Sequence, residues 1–409
     1  MLNVAQLGGS RPSTPIFFAT PHRVMFFTGA VQAILAFAWW GWLLVARTGA
    51  LPLPATPWPA SWLHGAFAIY GVFPFFVFGF LMTAMPRWQG QADVGGRAYL
   101  AAWGLLAGGW AMFHLGMLWP VLIAPALVLV MAGWIVGVLV LGQVAIAPVG
   151  ERRHALLACA ALLGGVPGLA CLFAYAAWGW SEGPRVAEAI GVWGCLAPLF
   201  MLVCHRMVPF FSSNVIPKYE MVRPYWALWL MLGGSFGHMV LQIANLPALY
   251  WLTDLPIAVT ASWLSWRWQL RASFRVRLLA MLHLGFLWLP VALWISVVQS
   301  MLLAAGHTAL GLAPLHALSI GFFGSLLVAM VSRVTLGHSG RQLQADSVTW
   351  WLFVGLHTVA LLRVAAELSA SAYNVLVVAA VCGWLLIFTF WSIKMVPIYL
   401  RPRADGKPG

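Results

Sequence analysis

Charge is what this 409-residue sequence has least of. Asp, Glu, Lys and Arg together make up 8% of the chain, against about 25% in an ordinary soluble domain. With 62% hydrophobic residues and a mean hydropathy of +0.90, too little polar surface remains to face water, which excludes a soluble globular protein. The same composition excludes disorder outside the tails. Cysteine is scarce as well: Cys159, Cys171, Cys195, Cys204 and Cys382 contain no C-x-x-C pair and no C-x-x-C-H sequence. That argues against a disulfide scaffold and against covalently attached haem. The stretch Met1 to Thr20 has no apolar core with a cleavage site, so a removable signal peptide is not expected.

What is present is apolar sequence in long runs. Spanning the hydrocarbon takes about 20 residues of helix, and breaks fall where charge, Pro and Gly cluster. Twelve segments result, from about His22 to Ala46, Trp62 to Met85, Ala98 to Leu118, Val121 to Ala147, His154 to Trp180, Val186 to Phe211, Tyr225 to Asn245, Trp251 to Trp268, Val276 to Ala305, Thr308 to Leu336, Val348 to Leu368 and Ala372 to Val396. The short eighth segment is the weakest of them. The expected fold is an all-α polytopic membrane bundle of twelve helices spanning 22–397, with tails 1–21 and 398–409. The 25 Trp and 24 Phe suit interface anchoring and packing within a bilayer.

Topology follows from the basic residues. With the N-terminus cytoplasmic, 19 of the 22 Lys and Arg, from Arg11 to Lys407, fall on the inside, and only Arg47, Arg185 and Arg363 fall outside. One missed or invented helix would scramble that division, so it supports both the segment count and cytoplasmic placement of both termini. The net charge of +13 is then a topology signal and an attraction to anionic headgroups rather than a nucleic-acid footprint. The longest loops, Arg47 to Ser61 and Ser212 to Pro224, leave no room for a soluble domain. The function is expected to lie inside the bilayer.

The nine carboxylates, Asp93, Glu151, Glu182, Glu188, Glu220, Asp254, Asp346, Glu367 and Asp405, all map to loops, tails or outermost turns. Ion-coupled carriers keep an ionisable group at depth, so this distribution disfavours one. Histidine behaves differently, with eleven residues mostly within or at the ends of helices. A helical membrane protein rich in imidazole and poor in buried carboxylate suits haem iron or copper better than calcium or magnesium, although any one membrane His is more often a hydrogen-bonded packing residue.

Depth sorts the histidines into two sets. His64 and His316 lie toward the outer ends of the second and tenth segments, whereas His22, His205, His283 and His338 lie toward cytoplasmic ends. His316 and His338 are separated by about 33 Å along a straight helix, so they belong to different sites. The outer pair is expected to provide axial haem ligands, and the inner four to share one haem or copper. Cys204 and Met207 flank His205 as soft ligands or as packing, and Arg206 and Arg333 are candidates for haem propionates or for snorkelling to headgroups.

Several stretches together resemble the NnrS family of bacterial haem- and copper-containing membrane proteins. They are Pro21-His22-Arg23, the Ser61-to-Gly90 segment SWLHGAFAIYGVFPFFVFGFLMTAMPRWQG, the run from His205 to Phe211, His283-Leu284-Gly285-Phe286, and the Leu315-to-Gly340 run LHALSIGFFGSLLVAMVSRVTLGHSG. The resemblance implies twelve helices, noncovalent haem b, copper, and a role in handling nitric oxide in denitrification or nitrosative-stress defence. The sequence departs from the H-x-H-E-M pattern of many members, since His64 is followed by Gly65-Ala66-Phe67. The second segment is also similar to its counterpart in haem–copper oxidases, but the His pairs of their seventh and tenth helices are replaced by single residues, His238 and His316.

The expectation is therefore a multi-pass protein of the bacterial inner membrane that binds or reduces nitric oxide. Its partners are nitric oxide, the lipid bilayer and an electron donor that the sequence leaves unidentified, with no nucleic acid. If it is an enzyme, it resembles a nitric oxide reductase. The alternative is a copper, haem or neutral-solute transporter using the same histidines, and a metal-free scaffold comes third.

Overall fold

Residues 15–147, 151–308 and 310–406 are described in the computed structural model; Arg11, Lys407, most of the expected N-terminal tail and the end of the C-terminal one lie outside them. Twelve long helices organise this part of the chain: α1 (Pro21–Ala46), α2 (Ala60–Trp88), α3 (Gly96–Gly116), α4 (Pro120–Ile146), α5 (Arg153–Trp178), α6 (Gly183–Ser213), α7 (Tyr225–Ile243), α8 (Trp251–Arg267), α9 (Arg277–Ala304), α10 (Ala313–His338), α11 (Ser347–Glu367) and α12 (Tyr373–Tyr399). No strand occurs among the described residues. Ten of the helices are long and apolar enough to cross a membrane, which makes this a multi-pass membrane protein. The other two of the twelve expected segments are helices that fall short by length or composition. α8 has only 17 residues, and α3 is diluted by Gly, His and Tyr.

The helices fall into three successive groups of four with a common plan. In each group the second helix contains a π-helical stretch, at Phe67–Val72 in α2, Ile190–Leu196 in α6 and Ala317–Gly324 in α10. In each group the third and fourth helices form a tight antiparallel pair, α3 with α4, α7 with α8, and α11 with α12. Proline sets two of the intervening turns, through short 3-10 helices at Pro120–Leu122 and Pro247–Leu249. Contacts of α4 with α5, α8 with α9 and α12 with α1 join the groups into a closed ring. π-helical segments are rare and concentrate at functional sites, so their recurrence directs attention to α2, α6 and α10.

Small residues bring these helices together. Gly109 in α3 and Gly133 in α4 face the opposing backbone, and a Cβ on Gly133 would stand 2.7 Å from Leu106 N. Gly29 and Gly79 instead receive side chains across the α1–α2 contact, where a Cβ on Gly79 would stand 2.8 Å from both Met25 Cβ and the Phe26 ring. Without water to drive association, such close backbone approach is a main source of attraction between membrane helices. Indole groups add buried hydrogen bonds, Trp134 Nε1 donating to Leu162 O at 2.8 Å and Trp391 Nε1 to Ser332 Oγ at 2.9 Å.

Candidate functional site

At the sparsely charged end of the bundle, His64 of α2 and His316 of α10 are half-buried and lie within Coulombic range of one another. Each stands just ahead of the π-helical stretch of its helix. The His64 ring is stacked on Trp40, with centroids 4.3 Å apart and planes 11° apart, and Phe37 meets it edge-on. Its nitrogens make no hydrogen bond among the described residues. His316 is held by Nδ1, which lies 2.9 Å from the carbonyl of Leu312. A proton on Nδ1 satisfies that bond and leaves Nε2 with its lone pair free, the arrangement by which proteins orient a metal-ligating imidazole. A Cβ on Gly65, beside His64, would meet nothing within 4 Å. The chemistry of these residues, one imidazole without a hydrogen bond and one oriented with Nε2 free, fits haem ligation.

The basic end separates the four inner histidines into three settings instead of one centre. His22 and His338 face each other with ring centroids 5.1 Å apart, and His22 Nδ1 is buried without a hydrogen-bond partner. This pair is framed from three sides. Arg23 donates from Nη1 to the carbonyls of Tyr399 and Arg401 at 2.9 and 2.8 Å, tying α1 to the end of α12. The Tyr399 hydroxyl is 2.9 Å from Thr335 Oγ1 in α10, and Ala404 N donates to Ser339 O, next to His338. The donor set suits copper, which imidazole binds well.

His205 is engaged elsewhere. Its Nδ1 lies 3.1 Å from His154 Nε2 and its Nε2 lies 3.1 Å from Pro224 O, so both ring nitrogens have partners. His154 continues the chain to Glu151, Nδ1 to Oε2 at 3.0 Å, on the protein surface. Partial burial opposes ionisation of Glu151, but hydrogen bonds from Tyr225 and His154 hold its carboxyl below the usual range. His283 Nε2 lies 2.9 Å from Ser212 Oγ, which itself donates to Val208 O. Among the described residues, no three His, Cys, Asp or Glu side chains converge as a metal site.

Between the two ends lies an apolar pocket of about 60 Å³. Phe26 of α1, Phe76, Val77, Phe80 and Leu81 of α2, Leu199, Phe200, Val203 and Val208 of α6, Leu282 of α9 and Leu326, Leu327 and Val331 of α10 contribute its walls. Cys204 and Met207 line this pocket, as do Met330 and the three π-bearing helices. Phe26 stands between the pocket and His22, its ring 5.9 Å from the imidazole. The close α1–α2 approach at Gly29 and Gly79 fixes that wall.

Arg206 and Arg333 remain at the basic end. The Arg206 guanidinium lies over the Trp88 ring at 4.7 Å and 3.7 Å from Glu151 Oε2, and Arg333 stacks on Phe211 at 3.7 Å. From His316 to Arg333 is about 25 Å along α10, so neither arginine serves the His64–His316 pair.

Three polar groups escaped sequence reasoning. Asp254 occupies the first turn of α8, as its position required, yet it is fully buried. It accepts from His238 Nδ1 at 2.7 Å, Ser296 Oγ at 2.6 Å and Thr253 Oγ1 at 3.2 Å, while Trp193 stacks on His238 at 3.7 Å. His154 reads from sequence as a loop-edge residue, although Glu151 three positions earlier was a usable signal of a pair. Arg363 and Glu367, one turn apart near the end of α11, form a nearly buried ion pair.

No curated protein matches the chain. A family model described as NnrS protein matches residues 16–403, nearly the whole sequence. This span takes in every helix and both histidine pairs, and the chain belongs to the NnrS family.

Proposed function

We propose that this protein is a haem- and copper-containing protein of the bacterial inner membrane that binds or reduces nitric oxide, in denitrification or in defence against nitrosative stress. The observation that carries the reading is the His64–His316 pair, in which one imidazole makes no hydrogen bond and the other is oriented by Leu312 O with Nε2 free. These two residues would hold haem b. Haem held there would supply redox chemistry at the iron. His22 and His338 would hold copper, with the orphaned Nδ1 of His22 as one donor.

The chain's own residues account for ligand access. The pocket lined by Phe76, Phe80, Phe200 and Met330 excludes water and admits an uncharged, lipid-soluble gas, and Phe26 separates it from His22. Protons consumed in a reduction would enter at the basic end, where Glu151, His154 and His205 form a continuous hydrogen-bonded row. Electrons come from a separate donor.

The test is an absorption spectrum of detergent-purified protein, oxidised and dithionite-reduced, before and after nitric oxide, with iron and copper quantified. A b-type spectrum, bound copper and a change on adding nitric oxide are expected. Protein that stays colourless after expression with ample haem overturns the reading, as does undiminished haem in the double variant His64→Ala, His316→Ala. A carrier reading draws on the buried Asp254–His238 pair, since ion-coupled transport uses such groups. Metal lost on washing, together with transport in liposomes, would favour it.

A further inference from the structure

Arg363 is one of three basic residues at the sparsely charged end, and the other two, Arg47 and Arg185, are exposed or partly exposed. Arg363 instead turns inward and is only 8% exposed. A charge buried within the protein is costly unless it is paired. The turn Ala313–His316 packs against α11, and Arg363 stands within Coulombic range of both His64 and His316. Glu367 lies one turn beyond, with Oε1 2.6 Å from Arg363 Nη1, yet neither atom makes an aligned hydrogen bond. The guanidinium therefore keeps donors to spend on another acceptor. The ion pair is also built into the backbone: at Gly311, φ is +53° and a Cβ would come within 2.1 Å of Glu367 Oε2.

A planar fork of donors beside two metal-ready imidazoles has a natural partner in a carboxylate carried by the group they ligate. We propose that Arg363 anchors a propionate of the macrocycle held by His64 and His316, with Glu367 holding the guanidinium in position. This rests on the haem reading above, and it replaces Arg206 and Arg333, which stand at the opposite end, as the propionate-binding residue.

The test compares binding of haem and of haem dimethyl ester, whose propionates are neutral, to the full-length apoprotein in detergent. Wild type is expected to bind haem roughly tenfold or more tightly than the ester, the usual scale for a hydrogen bond to a charged group. Arg363→Gln should bind both forms equally, near the wild-type affinity for the ester. Arg363→Lys should recover part of the preference, and Arg206→Gln and Arg333→Gln should keep it whole. Retention of the full preference in Arg363→Gln overturns the proposal. So does a wild type that binds both forms equally, a result that stands even where the Gln variant does not fold. A wild type that binds neither form, or binds haem undiminished in His64→Ala and His316→Ala, overturns the haem reading itself.

Discussion

His22 at the start of α1 and His338 at the end of α10 face one another with ring centroids 5.1 Å apart, although the whole of α2 to α9 lies between them in sequence. Arg23 fastens α1 to the last carbonyls of α12, and Tyr399 fastens α12 to Thr335 of α10. If this frame positions a copper pair, Tyr399→Phe removes one buried hydrogen bond, at about 1 kcal/mol of stability. Copper content after dialysis against a chelator should fall, with haem content unchanged. Equal copper retention in the variant and wild type would show that the frame does not govern the pair.

The haem assignment makes a separate forecast. His64→Ala and His316→Ala should each abolish the low-spin haem spectrum, whereas His283→Ala should leave it intact because that imidazole is committed to Ser212. Pyridine haemochrome quantification on the three variants decides the matter. Haem loss in His283→Ala comparable to that in His64→Ala would be inconsistent with the proposed ligands.

Leaving a buried hydrogen-bond donor without its acceptor costs about 1–3 kcal/mol. Asp254 is fully buried and receives three hydrogen bonds, so Asp254→Ala should be among the most destabilising single changes in the chain. Asp254→Asn, which keeps an acceptor, should cost less. Thermal unfolding in detergent measures both, and an unshifted midpoint for the Ala variant would contradict this account.

Close helix contact through glycine is testable in the same way. Gly79→Ala would place a methyl 2.8 Å from Met25 Cβ and the Phe26 ring, and overpacking of this kind costs about 1–3 kcal/mol. Gly65→Ala, whose new methyl meets nothing within 4 Å, serves as the control and should leave stability essentially unchanged.

At the start of α11, Asp346 caps the helix by accepting from Thr349 N at 2.9 Å and also binds Lys394. Burial opposes ionisation, but these partners hold the carboxyl at about 2, below the value of about 3.9 in an unfolded chain. The folded pKa is the lower of the two, so the stabilisation is complete above about pH 4 and is lost as pH falls towards 2. The side chain is 58% exposed, so the effect is small. The difference in melting temperature between wild type and Asp346→Asn should shrink as pH falls from 6 to 3. A difference constant across that range would remove Asp346 as the cause.

Much of the fold was legible because a bilayer imposes strong rules on sequence. Helix ends agreed closely with breaks at charge, Pro and Gly, as in α9, expected at Val276 to Ala305 and found at Arg277–Ala304. Even the short eighth segment proved to be a helix, Trp251–Arg267. The π-helical stretches were not legible, since Phe67–Val72 and Ala317–Gly324 have the composition of ordinary apolar helix.

The candidate site was legible in depth and illegible in direction. Position along a helix sorted His64 and His316 from His22 and His338, because rise per residue converts sequence number into height. It could not show that His205 turns to His154 while His22 turns to His338, nor that Asp254 is sealed in its first turn and Arg363 faces inward. Which way a side chain points depends on helix rotation, and in lipid that rotation is set by packing against neighbouring helices. The sequence by itself thus determined an all-helical membrane protein and the height of each polar group within it. The tertiary structure decided which of those groups meet, through close contacts at residues such as Gly29, Gly79 and Gly133 that fix each helix against its neighbours.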